Sequence, residues 1–200
     1  MRMLLTVALI GLVSALLTDG PVVSQEKLGA SDLFGRDLKG WTNLGAGKSP
    51  WSFSTDRVLV CEKATAKYAA DRELGNGTLH IEWRFRVDPD KKVYKASVSV
   101  RNSPGASGCK VALGQECGSI TASFVANSDR QKTVEEKAPK DHARPIGDWN
   151  TLDLKLEGRT VTAYVNGKMT TSFSQCDTEL GYAALEAEGS AIEFRHVTWK

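Results

Sequence analysis

Apolar and polar residues alternate with a period of two along most of this chain. The longest alternating run, Thr78–Asp88, places Trp83 and Val87 on its apolar face and puts Glu82 and Arg84 on the opposite face. Such alternation predicts β-strands that bury one face. After residue 24 the sequence has no sustained helical period. The same pattern predicts further strands at 51–54, 58–62, 96–101, 151–157, 160–166, 169–173, 181–188 and 191–199.

Two short turn sequences connect three of these strands. Asn166-Gly167 is a strong hairpin signal because both central residues of its turn need a positive φ. Glu157-Gly158-Arg159 marks a second turn, so the flanking strands are predicted to form a meander. Strands at intervals of about 8 to 12 residues, without helices between them, predict an all-β domain built as a two-sheet antiparallel sandwich or jelly roll.

One polar segment, 126–147, does not follow the strand pattern. It is rich in charged residues and contains Pro139 and Pro145. A loop of this length is typically either a functional rim or a disordered excursion. The sequence favours neither interpretation over the other.

The first residues have the three-part layout of a secretory signal peptide. Arg2 provides a basic start, Leu4–Leu17 is an almost purely apolar run, and small residues around Ser24 offer a cleavage site. We therefore predict a signal peptide at 1–24, a single domain at 25–200, and a secreted or periplasmic location. The apolar run is shorter than the roughly 20 residues of a membrane span, so no transmembrane segment is expected in the mature chain. The alternative is an uncleaved N-terminal anchor.

Composition narrows the functional classes. The 200 residues include 26 Lys and Arg against 24 Asp and Glu, which gives a formal net charge of +2, and 41% of the residues are hydrophobic. These values are typical of a compact domain and provide no electrostatic reason to bind nucleic acid. The three histidines have no ligand spacing, and GxSxG, P-loop and dinucleotide-binding motifs are missing from the sequence. A metal or cofactor site therefore cannot be read from local sequence motifs.

The four cysteines all follow the predicted signal peptide. An even number of cysteines in an exported chain favours two disulfides, for which three pairings exist. Cys109 and Cys117 flank a turn, so this pair would close a hairpin and leave Cys61 to pair with Cys176. The alternative is four buried free thiols.

Several polar side chains share one side of a predicted strand. If these faces belong to one sheet, they form a polar surface of carboxylates and guanidinium groups, which bind sugar hydroxyls well. An antiparallel sheet with one face in water produces the same pattern without any ligand. The pairs are Glu82 with Arg84, Ser99 with Arg101, and Glu186 with Glu188.

A set of short motifs, taken in order, resembles the 3-keto-disaccharide hydrolase domain family. That family is also described as 3-keto-glucoside 1,2-lyase and 3-keto-2-hydroxy-glucal hydratase. The likeness covers about Ser31 to Lys200. The motifs that carry it are Leu33–Trp41, Leu79–Phe85, Gly147–Thr151, Tyr164–Gly167, Leu185–Gly189 and Glu193–Val197.

The resemblance implies an exported bacterial protein with a concanavalin A-like (LamG-like) jelly roll that takes a carbohydrate ligand. It also implies elimination on a glucoside oxidised at C3, which needs a general base and a cation or hydrogen-bond donor over the enolate oxygen. A divalent metal ion is one group that supplies the second role. Glu82 and Glu188 are the candidate bases. The expected substrate-binding residues are Glu82, Arg84, Arg101, Lys110, Glu186 and Glu188, with Arg101 lining the groove.

The chain departs from the family pattern at several of these positions. Family members usually carry Asn-Ser-Gly at 95–97 and a Glu and a Gln at Lys110 and Ala112, and they often have Gln at Glu186. Because Lys110 reverses the charge of an acidic position, we expect weak or absent lyase activity with retained binding. Three functions stay open: an enzyme for oxidised glucosides, a non-catalytic carbohydrate-binding module, and a cell-surface interaction domain.

Overall fold

A computed structural model describes residues 30–35, 37–45, 48–103, 108–126 and 130–200, and the predicted signal peptide at 1–24 lies outside these residues. Every regular element in this part of the chain is a β-strand. The described residues contain no helix long and apolar enough to cross a membrane. The strands are β1 (Ser31–Asp32), β2 (Trp41–Asn43), β3 (Trp51–Phe53), β4 (Leu59–Cys61), β5 (Thr65–Leu74), β6 (Gly77–Phe85), β7 (Lys95–Asn102), β8 (Cys109–Gly114), β9 (Ile120–Ala126), β10 (Arg130–Glu136), β11 (Asn150–Glu157), β12 (Thr160–Val165), β13 (Lys168–Phe173), β14 (Gly181–Glu188) and β15 (Ile192–Trp199).

The strands form two antiparallel sheets. Sheet I has the order β13–β12–β11–β6–β15–β4–β3, with β1 beside β15, and sheet II has the order β10–β9–β8–β7–β14–β5–β2. Apolar side chains from both sheets build one hydrophobic core. The predicted all-β sandwich of the jelly-roll kind is confirmed, and so is the meander of β11, β12 and β13. Asn166 and Gly167 both have positive φ, as their turn requires.

Strand β6 lies in the middle of sheet I, between β11 and β15. Its side chains Leu79, Ile81, Trp83 and Phe85 are all buried, as the alternation predicts. Val87 was predicted to lie on the same face, but it is 70% exposed because the strand ends at Phe85. The buried face of β6 is therefore one residue shorter than the sequence pattern.

The polar segment 126–147 is in part a strand. Residues Arg130–Glu136 form β10, which pairs with β9 over seven positions at the edge of sheet II. Alternation did not reveal this strand because Val134 is its only large apolar residue. The remainder, 137–149, has no regular structure and runs to the start of β11.

All four cysteines are buried thiols. The expected pairs, Cys109 with Cys117 and Cys61 with Cys176, are not those that the fold brings together, because Cys109 Sγ lies 2.8 Å from Cys176 Sγ. The hairpin register explains the difference. Cys109 lies opposite Ala122 in β9, whereas Cys117 belongs to the connection at the other end of the hairpin.

A cross-strand pair on sheet I predicts a pH dependence of stability. His80 and Asp153 face each other in β6 and β11, and Nδ1 lies 2.7 Å from Oδ1. This hydrogen bond raises the pKa of His80 despite the opposing effect of burial. The pair therefore stabilises the fold fully below the unfolded pKa of about 6.5, and its contribution is lost as the pH rises through the higher folded pKa.

We expect His80→Gln to remove this part of the pH dependence and to cost under about 1 kcal/mol at low pH. Urea unfolding of both proteins between about pH 5 and 9 measures the difference. The two stability curves should converge as the pH rises. Parallel curves across the range would contradict the assignment.

Candidate functional site

Three of the predicted site residues meet on the face of sheet II that points away from the core. Strand β7 lies between β8 and β14, and its serines Ser97 and Ser99 alternate with buried apolar residues. Ser99 lies opposite Lys110 in β8, and Ser97 lies opposite Glu186 in β14. Glu188 is two residues further along β14 and therefore projects from the same face. We name this group, Ser97, Ser99, Lys110, Glu186 and Glu188, the lysine–carboxylate cluster.

Both carboxylate oxygens of Glu186 have partners within the protein. Its Oε1 accepts hydrogen bonds from Ser99 Oγ at 2.7 Å and from Lys67 Nζ at 3.0 Å, and its Oε2 lies 2.8 Å from Lys110 Nζ. Burial tends to raise the pKa of Glu186, but the bonds from Lys110 and Ser99 and the charge of Lys67 hold it below its ordinary value. Glu186 is therefore ionised near neutral pH, and both of its carboxylate oxygens already have partners.

Glu188 is the more accessible carboxylate. Ser97 Oγ donates to its Oε1 at 2.8 Å, and Lys110 Nζ lies 3.4 Å from the same oxygen. Its side chain is 34% exposed, against 12% for Glu186. Both of these contacts end on Oε1, and no hydrogen bond to Oε2 is found among the described residues.

Lys110 lies between the two carboxylates and is 44% exposed. Burial alone would lower the pKa of Lys110, but the hydrogen bonds and charges of Glu186 and Glu188 raise it above its ordinary value. The ammonium group is therefore permanently charged at neutral pH, and it presents a cation at the surface of the cluster.

One open cavity lies beside the cluster, and a second lies at the neighbouring β8–β9 turn. The first has a volume of about 260 Å³ and includes Ser97, Lys110 and Glu188 in its walls. The second, of about 590 Å³, lies between Tyr94 and the 137–149 segment. Gln115, in the turn between β8 and β9, lines both cavities.

Glu82 and Arg84 are not part of this site, because they belong to β6 in sheet I. Glu82 Oε2 accepts a bond from Arg195 Nε at 2.7 Å, and its Oε1 lies 2.8 Å from His196 Nδ1. Arg84 Nε donates to Glu193 Oε2 at 2.6 Å. These are cross-strand ion pairs between β6 and β15. The sequence correctly indicates a polar strand face here, but that face lies on the opposite sheet from Glu188.

The guanidinium groups of this sheet I network also pack against an indole. Arg84 and Arg195 lie over the ring of Trp149, at 4.5 Å and 3.9 Å from its centroid. Cation–π contacts of this kind hold an aromatic ring in place. These contacts hold Trp149 in place where the 137–149 segment joins β11. Arg84 and Arg195 therefore stabilise this part of the fold.

Arg101 does not line a groove, because its side chain is completely buried. The strict alternation of β7 would place it on the same face as Ser99. A β-bulge intervenes: two residues of β7, Val100 and Arg101, lie opposite the single residue Ala183 of β14. Arg101 has a φ of +60°, and the extra residue turns its side chain into the interior.

Inside the protein, Arg101 joins three backbone segments. Its guanidinium donates to Leu74 O at 2.9 Å, to Gly158 O at 2.9 Å, and to Glu179 O. Burial lowers the pKa of Arg101. Because these carbonyls come from both sheets and from the connection between them, Arg101 ties the two sheets together at one end of the sandwich.

The described residues contain no group of three or more His, Cys, Asp or Glu side chains arranged to hold a metal ion. Within the lysine–carboxylate cluster, the ammonium group of Lys110 lies between Glu186 and Glu188, where a bound cation would otherwise sit. The donor set of this cluster therefore does not fit a divalent metal.

The sequence reasoning missed Lys67, which lies opposite Glu186 in the β5–β14 pair. The signal was weak because β5 carries small and charged residues in place of a regular apolar face. Polar residues alternate only in part along 65–74, because Ala69 interrupts the series and Arg72 lies on the other face.

The sequence profile of the 3-keto-alpha-glucoside-1,2-lyase-like domain matches residues 29–200. The chain belongs to this family of 3-keto-alpha-glucoside-1,2-lyase-like domains. The match spans both sheets and contains the whole lysine–carboxylate cluster. No curated protein matches this lyase-like domain in sequence.

Solved structures agree with this lyase-like domain in fold at low sequence identity. A Parabacteroides distasonis protein named as a glycosyl hydrolase has a TM-score of 0.64 and 16% identity, over 86% of this chain and 98% of that one. A carbohydrate-binding module of Bacillus subtilis has a TM-score of 0.59 and 13% identity, over 80% and 95%. A β-glucanase of Bacillus licheniformis has a TM-score of 0.55 and 13% identity, over 87% and 97%. At these identities the likeness establishes the jelly-roll fold alone.

Proposed function

We propose that the chain binds glucosides oxidised at C3 through the lysine–carboxylate cluster and eliminates the substituent at C1. The arrangement of Glu188, Lys110 and Glu186 is the observation that carries this proposal. It combines an accessible carboxylate with an ammonium cation about one hydrogen-bond length away. Membership in the lyase-like family supports the choice of a 3-keto sugar as ligand.

The chemistry begins at the carbonyl group at C3, which acidifies the hydrogen on C2. Glu188 accepts that proton, and the electron pair of the C2–H bond forms an enolate whose negative oxygen lies at C3. The Lys110 ammonium stabilises this oxygen, because a fixed positive charge lowers the energy of a developing anion. The C1–O bond then breaks, and the departing oxygen takes the proton from Glu188. Water adds across the resulting double bond to give the free 3-keto sugar.

Ser97 and Glu186 hold these two groups in position. Ser97 donates to Glu188 Oε1, which orients the carboxylate and leaves Oε2 available to accept the C2 proton. Glu186 anchors the Lys110 ammonium at 2.8 Å and is itself fixed by Ser99 and Lys67. The 260 Å³ cavity lined by Ser97, Lys110 and Glu188 gives space for the ring that bears the oxidised carbon.

A non-catalytic carbohydrate-binding module is the second candidate. The ion pairs of Lys110 with both carboxylates favour it, because Lys110 already occupies Oε1 of Glu188 and Oε2 of Glu186. The same polar groups would still bind sugar hydroxyls through charge-assisted hydrogen bonds. The two candidates share the binding site and differ in whether the C2 hydrogen leaves.

Glu188→Gln distinguishes these candidates. We expect the variant to lose about 100-fold or more of any elimination rate, since it removes a general base, while its Kd for the sugar changes only a few-fold. Calorimetry with methyl 3-keto-glucoside and with unoxidised methyl glucoside measures binding. Exchange of the C2 hydrogen in D2O, followed by NMR, measures proton removal separately from loss of the C1 substituent.

Glu82→Gln is the matched control, because Glu82 is a paired carboxylate on the opposite sheet. It should leave binding and exchange unchanged. Wild-type binding without C2 exchange would establish the non-catalytic module. If neither sugar binds, or if Glu82→Gln has the larger effect, the lysine–carboxylate cluster is not the site.

We also infer that the chain is exported after removal of residues 1–24. The apolar run Leu4–Leu17 and the small residues near Ser24 support this inference. Export would bring the carbohydrate site to extracellular or periplasmic glycosides. It would also place the four buried cysteines in an oxidising compartment, where disulfides form.

A further inference from the structure

Two cysteine sulfur atoms meet between the two sheets. Cys109 Sγ and Cys176 Sγ are 2.8 Å apart, and both residues are only 1% exposed. This distance is shorter than the contact of two unbonded sulfur atoms and longer than the roughly 2.05 Å of a disulfide bond. A small movement of either side chain is enough to bring the sulfurs within bonding distance.

The backbone holds both residues in place. Cys109 begins β8 and lies opposite Val100 of β7. Cys176 follows β13, where its N–H donates to Arg159 O at 3.1 Å and its carbonyl accepts a bond from the Arg159 guanidinium. One sulfur therefore comes from sheet II and the other from the segment that leaves sheet I.

The other two cysteines have different surroundings. Cys61 lies in β4 of sheet I, and its Sγ is 3.9 Å from the carbonyl oxygen of Glu62. Cys117 is completely buried in the connection between β8 and β9, and burial raises its pKa to about 12. Among the described residues, no hydrogen bond links Cys61 or Cys117 to another cysteine, in contrast to Cys109 and Cys176.

We propose that Cys109 and Cys176 form a disulfide bond in the exported protein, while Cys61 and Cys117 remain thiols. The proposal rests on export, which is part of the proposed function, and does not depend on the sugar chemistry. The bond would covalently join the two sheets.

The reaction is an exchange with an external disulfide, such as that of a thiol–disulfide oxidoreductase. One cysteine thiolate attacks the oxidant and forms a mixed disulfide, and the second thiol displaces the oxidant. Two S–H bonds break and one S–S bond forms in the protein, and the oxidant receives two electrons and two protons as a dithiol. Because both cysteines are buried in the folded chain, the exchange takes place before the segment around Cys176 has packed.

In the folded, reduced protein, Cys176 is the more acidic of the two thiols. The hydrogen bond from the Cys109 thiol lowers the pKa of Cys176, and the positive charges of Arg101 and Arg159 add to this effect against the opposing effect of burial. The disulfide would lie near Arg101 and the three carbonyl groups that Arg101 binds. The crosslink and Arg101 would thus stabilise the same end of the sandwich.

The test uses the full-length chain, secreted into a bacterial periplasm and purified without reductant. N-ethylmaleimide labelling in denaturant should modify two cysteines before reduction and four after it. Peptide mapping without reduction should recover a crosslinked peptide that joins Cys109 to Cys176. The intact mass of the same sample shows whether residues 1–24 have been removed, so a failure of export is recognised separately.

If the chain is not exported, the purified protein is refolded in a buffer of oxidised and reduced glutathione and mapped in the same way. Cys109→Ala/Cys176→Ala should lower the Tm by about 5 to 15 °C relative to the oxidised wild type, and reductant should not lower it further. Cys61→Ala/Cys117→Ala is the matched control and should retain the crosslink. Four free thiols after oxidative refolding, or a crosslink between any other pair, would overturn the proposal.

Discussion

Arg101→Ala is expected to lower the free energy of unfolding by about 3 to 5 kcal/mol. The substitution removes the donors to Leu74 O, Gly158 O and Glu179 O, of which the bond to Leu74 O is fully buried and the other two are partly buried. A buried polar group without a partner costs about 1 to 3 kcal/mol, and the large side chain also leaves a cavity. The loss should appear as a lower midpoint in urea unfolding, with the same slope.

Arg84→Ala is the control for this measurement. Arg84 is also an arginine at a polar position of an alternating strand, but it lies on the surface of sheet I and is 38% exposed. A surface ion pair of this kind contributes about 1 kcal/mol or less. Equal losses for the two variants, or a loss below about 1 kcal/mol for Arg101→Ala, would mean that Arg101 faces solvent.

The case of Arg101 shows what alternation does not detect. A period of two assigns each residue to a face only while the strand remains regular. The bulge in β7 adds one residue and reverses the assignment from that point. Gly181 makes the close approach possible, because a Cβ there would lie 2.7 Å from Arg101 Cα. The sequence shows a glycine at 181, but it does not show that the backbone of Arg101 packs against it.

Local patterns predicted most strands of sheet I but, of sheet II, only β7 and β14. The β6 alternation and the Asn166-Gly167 hairpin depend on residues close together in the chain, and both appear as predicted. The assignment of strands to sheets depends on pairing between distant segments, which no local pattern contains. For this reason Glu82 and Glu188 looked equivalent in sequence, although β6 and β14 lie in different sheets.

The candidate site also combines residues that the sequence indicated with contacts between distant strands that it did not. The resemblance led to Lys110, Glu186 and Glu188, which do meet on one face. Their roles differ because of neighbours that the sequence did not reveal. Lys67, which lies in a strand that the sequence did not predict, forms an ion pair with Glu186. Glu188 instead accepts a hydrogen bond from Ser97 and remains partly exposed to solvent. Pairing across strands, and not residue type, separates the buried carboxylate from the accessible one.

Trp83→Ala is expected to cost about 3 to 5 kcal/mol of folding free energy. Trp83 is 1% exposed and lies opposite Phe194 in β15 and Asn150 in β11, at the centre of sheet I. Removing the indole takes away a large buried apolar surface, and the neighbouring strands are held too firmly by their hydrogen bonds to close the space. Trp83 also forms part of the wall of the 590 Å³ cavity, so the new space opens into it.

Two further substitutions make the Trp83 result specific. Trp83→Phe keeps most of the apolar volume and should lose less than Trp83→Ala. Val87→Ala changes a residue that the sequence pattern assigns to the same face but that is exposed in the structure, so its effect should stay within about 0.5 kcal/mol. Urea unfolding monitored by far-UV circular dichroism measures all three. A Trp83→Ala loss below about 1 kcal/mol would mean that the face of β6 carrying Trp83 is not buried. A Val87→Ala loss as large as that of Trp83→Ala would mean that Val87 is buried as well.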